Sequence, residues 1–431
     1  MLTKRDRLLL VWAAPLITAL LSAAGFAQST EKLVPTNTDL ARFGLERAWW
    51  SQATINPARS TVRYLTVDED NLYVQTTGGV ITVFDSETGR KLWSRQLGQR
   101  DEPSYAAVSN RDSVLIVVGL NLYSVEKFSG AMNWKLQLPK QPSTSPTVDD
   151  RFVYLGTLDG SVFAYELREI RKLYEKNLLP EFSQVALRWR YQTGGEIISP
   201  PISTGRVVNF ASRDGSLYSV GTESRRLQWQ FETDATLSAP LAQSRGSIVM
   251  ASHDYNVYCI NVDNGALRWK PFVLGYPIRQ QPRIIDDDIY LIALGSGLFC
   301  VSLRNGEKRW WYPNITRFLA ATRDLLFLSD TLDNVVVLYR KTGELRGAFP
   351  LRRFSVRLSN DRTDRLYLST PSGLIVCLRQ IGQEFPIYHM FPERHPIMPE
   401  LAPEKTEGTE TGGGLRATCQ AVTIAVALAR G

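Results

Sequence analysis

The pattern of apolar and polar positions divides the 431 residues into unlike parts. Leu8 to Ala24 carries no charge and follows the basic start Lys4, Arg5 and Arg7. From about residue 45 to 380 the chain is a series of short alternating runs, among them Leu72-Tyr73-Val74, Phe152-Val153-Tyr154-Leu155, Ile289-Tyr290-Leu291 and Leu366-Tyr367-Leu368. Runs of this length and alternation predict strands. Asp68-Glu69-Asp70-Asn71 and Asp286-Asp287-Asp288 predict turns before them. Gly78-Gly79, Asp159-Gly160, Asp214-Gly215, Asp333-Asn334 and Ser372-Gly373 predict hairpins after them, since Gly, Asn and Asp accept the positive φ of tight turns.

One unit recurs. Val83 is followed by Gly89 and Trp93, Ser124 by Gly130 and Trp134, Cys259 by Gly265 and Trp269, Cys300 by Gly306 and Trp310. Ser219 leads to Trp229 with Arg225 in the glycine position. Ala164 leads to Trp189 across an insertion, Leu338 leads to Gly343 and Gly347, and Cys377 has no Trp after it. The unit is about 40 residues long once the insertion is removed. Such a period, with strands throughout, predicts a β-propeller of four-stranded antiparallel blades. Eight units give eight blades. The last lacks an outer strand, and Leu45-Glu46-Arg47-Ala48-Trp49 resembles Ala266-Leu267-Arg268-Trp269, so the N-terminal strand is predicted to close the eighth blade. Closure removes two sheet edges. Trp49, Trp93, Trp134, Trp189, Trp229, Trp269 and Trp310 are predicted to pack between neighbouring blades, each indole contributing roughly 2–3 kcal/mol.

Cys259, Cys300 and Cys377 share one repeat position, occupied elsewhere by Val, Ser, Ala and Leu. They are predicted to pack as small apolar side chains. The fourth, Cys419, lies in the tail.

The ends carry different information. Residues 1–27 read as a signal peptide, with Gly25-Phe26-Ala27 before a cleavage at Gln28, or as an uncleaved signal anchor. Either reading places the body outside the cytoplasm, in the periplasm or cell envelope. No cysteine stands at the cleavage position to carry lipid. The propeller is expected over 28–385. Residues 386–431 read as a Pro-rich and Gly-rich tail, largely disordered. Its apolar stretch Ala417–Ala429 is too short to span a bilayer. Fifty basic against 43 acidic residues give a net charge of +7. No basic stripe or nucleic-acid module accompanies it.

The repeat resembles the pyrroloquinoline-quinone-like propeller family, whose mark is a small residue, Asp two later, Thr-Gly, then Trp four beyond. Val83-Phe84-Asp85 through Thr88-Gly89 to Trp93 matches it almost fully. The resemblance implies one of two branches. Quinone-dependent alcohol or sugar dehydrogenases are longer; many carry an adjacent cysteine pair and a calcium site of Glu, Asn and Asp. This chain has no adjacent cysteines. The non-catalytic branch, with the eight-bladed lipoprotein of the outer-membrane β-barrel assembly machine, is nearer in length.

Local chemistry is sparse. His253, His389 and His395 lack a second ligand at metal spacing, and the Asp clusters fall where turns are needed. No nucleophile elbow or phosphate loop appears. No catalytic, cofactor or metal residue is therefore expected. The insertion 167–179 is predicted to be helical, with Leu167, Ile170, Leu173, Tyr174 and Leu178 on one face. Arg168, Arg171, Lys172 and Tyr174 are its candidate partner-binding residues; the plainer expectation is that its apolar face folds back on the blade. Trp50 and Trp311 point away from the blade tryptophans and are candidate sugar-stacking residues. The expected function is an exported, monomeric, non-enzymatic scaffold for envelope proteins, outer-membrane assembly components among them, with peripheral or N-terminally anchored membrane association and no nucleic acid. The alternatives are a quinone- and calcium-dependent oxidoreductase and a cell-wall carbohydrate-binding module.

Overall fold

The structure, a computed structural model, describes residues 34–389 apart from 180 and 245. The signal segment, His395, Cys419 and Ala417–Ala429 lie outside the described residues. Within them the strands form eight four-stranded antiparallel sheets, the eight-bladed all-β propeller expected from the repeat. The first blade runs outward through Val62–Val67, Asn71–Thr76, Val80–Asp85 and Lys91–Gln96. Its second strand is buried at all six positions, as is Ser113–Val118 in the next blade. Both faces of these strands meet a neighbouring sheet, so apolar residues line both sides. In six blades the innermost strand has only two or three residues, such as Thr147–Val148. An edge this short offers little to pair with.

The turn between the first two strands is fixed by an Asx residue. Asp68 accepts hydrogen bonds from the backbone N–H of Asp70 (2.9 Å) and Asn71 (2.7 Å). Asn110 and Asp149 repeat the arrangement in the next two blades. Such a side chain supplies the turn's hydrogen bonds locally.

The eighth blade holds Val356–Arg357, Leu366–Ser369 and Leu374–Gln380, completed by Leu45–Gln52 as its outer strand. The two ends of the chain therefore share one sheet.

Six of the seven blade tryptophans donate their indole N–H to a backbone carbonyl of the following blade. Trp93 reaches Lys127 (2.9 Å), Trp189 Thr222 (2.6 Å), Trp229 Val262 (2.8 Å), Trp269 Leu303 (3.1 Å) and Trp310 Arg340 (3.1 Å). Trp49 reaches Ser86. The repeat glycine of that next blade lies flat against the ring. Gly306 has φ +74, and a Cβ there would come within 2.6 Å of the Trp269 indole. Each glycine thus serves two needs, a left-handed turn and room for an indole. Arg225, in the glycine position opposite Trp189, still adopts φ 55.

Two blades depart from the rule. Among the described residues Trp134 has no such carbonyl; the chain enters the helix Leu167–Glu175 at that point, and Ile170 and Leu173 join Trp134 in one buried cluster. Where Gly347 replaces Trp, a Cβ would meet the Phe43 ring at 2.9 Å. Phe43 comes from the N-terminal segment and packs on Phe349 with ring centres 4.5 Å apart and planes tilted by 30°. It fills the space the missing indole leaves.

Candidate interaction surfaces

Alternating strand direction places every hairpin between second and third strands on one face of the ring. Five of these eight turns carry an exposed apolar side chain: Leu120 (42%), Leu158 (52%), Tyr255 (47%), Leu294 (54%) and Leu332 (63%). Turn tips normally favour small polar residues. The strand pattern could have pointed to this ring, since each of these residues stands within a turn joining the second and third strands of its blade. Sequence reasoning passed over them because each alone looks unexceptional.

The insertion lies between the third and fourth strands of its blade, hence on the opposite face. Ile170 and Leu173 are buried against the blade. Arg168, Arg171, Lys172 and Tyr174 are exposed, with Lys172 paired to Glu169. The helix ends at Glu175, and Asn177 turns the chain with φ 55. Leu178, Phe182 and Val185 then continue an exposed apolar line. Trp50 and Trp311 are exposed too, but stand on the outer strands of blades eight and six, with blade seven between them.

On that opposite face the channel mouth is a cavity of about 1010 Å³ lined by Asp68, Glu69, Lys127 and Arg362 among others. Two of its cations are paired. Lys127 Nζ sits 2.9 Å from Asp68, and Arg362 sits 3.0 Å from Glu69. Asp68 also accepts from Tyr73 (2.6 Å) and Ser109 (2.5 Å). Burial pushes Asp68 upward, but Lys127, Ser109 and Tyr73 outweigh it and hold the carboxyl below its ordinary range. Burial lowers Lys127, and Asp68 with Asp70 more than restore it. A mutually satisfied cluster joining two blades is built to hold them together rather than to take up a proton.

Cys259, Cys300 and Cys377 are free and fully buried. Burial pushes the Cys259 thiol up to about 11, so it stays protonated and unreactive. His253 lies in a hairpin. His389 is anchored by Ala321 O at 3.0 Å, and burial lowers its pKa. Among the described residues no three His, Cys, Asp or Glu side chains converge to hold a metal.

A family model described as outer membrane protein assembly factor BamB matches residues 46–121 and 181–346, more than half of the chain. The chain belongs to this family. The family model passes over 122–180, which includes the first three strands of the third blade and the helical insertion, but not that blade's outer strand Leu187–Gln192. Among solved structures the chain is similar to BamB from Moraxella catarrhalis, with TM-score 0.59 and 13% identity over 78% of this chain and 98% of that one. It is also similar to the computationally designed Ika8 protein, with TM-score 0.57 and 13% identity over 74% and 96%. Identities this low show the shared propeller and nothing finer. No curated protein matches the chain.

Proposed function

We propose that this BamB-family chain is an exported, non-enzymatic scaffold that holds envelope proteins during outer-membrane assembly. The observation that carries the reading is the ring of exposed apolar tips on one face, Leu120, Leu158, Tyr255, Leu294 and Leu332. Exposed apolar groups arranged on a rigid frame suit protein contact, because burying them on binding recovers free energy without reshaping the frame. The family supports the assembly setting, and the basic start with Leu8–Ala24 supports export.

The test is envelope crosslinking with mass spectrometry, comparing the native chain with the triple variant L158S/L294S/L332S. These side chains are exposed, so the variant should unfold at the native denaturant midpoint. Loss of the assembly-machine crosslinks with the fold intact is the expected result. Unchanged crosslinks would overturn the reading. So would a stoichiometric quinone retained with calcium and accompanied by dye-linked alcohol oxidation.

A further inference from the structure

A groove of about 690 Å³ runs between the N-terminal segment and the outer strand Leu345–Pro350 of blade seven. Its floor is apolar: Phe43 and Phe349 pack together there, and Phe354 belongs to the same cluster. Its rim is basic. Arg42, Arg352 and Arg353 line it, against one acid, Asp39, which accepts a hydrogen bond from Thr36. Arg352 is steadied by the Leu332 carbonyl at 3.2 Å. Among the described residues none of the three arginines pairs with a carboxylate, whereas Lys127 and Arg362 at the channel mouth each do.

We propose that this groove binds an anionic phospholipid, with the phosphate held by the three guanidiniums and the glycerol and acyl start lying on the phenylalanine floor. Guanidinium forks suit phosphate oxygens, and an apolar floor beside them selects an amphiphile over a free anion. Continuity with the N-terminus points the same way. Val34 lines the groove, and the nine residues 25–33 separate it from the apolar stretch Leu8–Ala24. Their reach is at most roughly 30 Å. An uncleaved anchor would therefore keep the groove within that distance of the membrane. The site rests on the envelope reading only for its cellular setting, and lipid binding in solution is independent of any protein partner.

The experiment is calorimetric titration of the full chain with dihexanoyl phosphatidylglycerol below its micelle concentration, which avoids bilayer insertion of the N-terminal stretch. Dihexanoyl phosphatidylcholine and glycerol phosphate are the comparison ligands, and R352E/R353E is the variant. Saturable one-to-one binding of the phosphatidylglycerol is expected, about tenfold weaker in the variant, whose two reversed charges lie at the surface. Equal binding of phosphatidylcholine, or binding untouched by R352E/R353E, would overturn the proposal, since the lipid would then sit elsewhere. Equally tight glycerol phosphate would overturn it too, leaving only an anion site. Crosslinks lost in the leucine variant with lipid binding retained would separate the two surfaces.

Discussion

Trp49 lies opposite Cys377 in the outer ladder of the eighth blade, and its indole N–H donates to Ser86 O on the first blade at 3.0 Å. One residue from the N-terminal strand thus joins the last blade to the first. Trp49→Phe removes the donor and trims the ring, while Tyr367 still donates to Ser86 O at 3.2 Å, so it should cost about 1–2 kcal/mol. Trp49→Ala should cost about 3–5 kcal/mol, since a cavity opens as well. Denaturant midpoints of the two variants check this. Equal, negligible losses would mean the ring does not depend on this joint.

A second device strengthens the same joint. Arg365 is fully buried and donates to Glu87 (2.8 Å), Gln383 O (3.1 Å) and Glu384 O (2.7 Å). Arg365→Met would leave those carbonyls and the adjacent buried Asp364 without their cation, a loss of about 3–5 kcal/mol. Glu87 is a third exposed and water can replace it, so Glu87→Gln should cost about 1 kcal/mol. Urea unfolding of both variants tests the asymmetry; equal costs would contradict it.

The parts legible in the sequence were those that repeat from blade to blade. Strand, turn, glycine and indole recur at fixed spacing, so the blades and the orphan strand at Trp49 could be read without coordinates. Phe43, Arg365 and the Asp68–Lys127 cluster could not. Each acts once, and each meets residues that only ring closure or blade stacking brings near. Arg365 and Glu87 are far apart in sequence and adjacent only because the ring closes. The insertion was half legible: helical spacing marked Ile170 and Leu173, but nothing in the spacing showed that Tyr174 and Leu178 would be left facing solvent.

Two left-handed glycines separate backbone strain from packing. Gly306 has φ +74 and presses on Trp269, whereas Gly295 has φ +81 and nothing within 4 Å of an added Cβ. Alanine at either site incurs about 1–2 kcal/mol of left-handed strain. Gly306→Ala should cost about 1–3 kcal/mol more, because its methyl displaces the indole. Thermal or urea unfolding measures the difference, and identical losses would show that the glycine–indole contact carries no energy.

The sharpest pH dependence should come from Asp364. Burial drives its pKa up to about 6, only partly opposed by Arg365, and its carboxylate accepts the Ile387 N–H at 3.0 Å, holding the chain as it leaves the last blade. The unfolded value is 3.8. Between the two, the folded protein binds more protons than the unfolded chain, so its stability should fall as pH rises through this window. The contribution is fully present below about pH 4 and lost above about pH 6, and amounts to roughly 1–3 kcal/mol. Asp364→Asn cannot ionise and should flatten that part of the profile. Stability curves of the two proteins from pH 4 to 7 decide it: a native profile that rises with pH there, or one unchanged by the substitution, would show that Asp364 is not the group responsible.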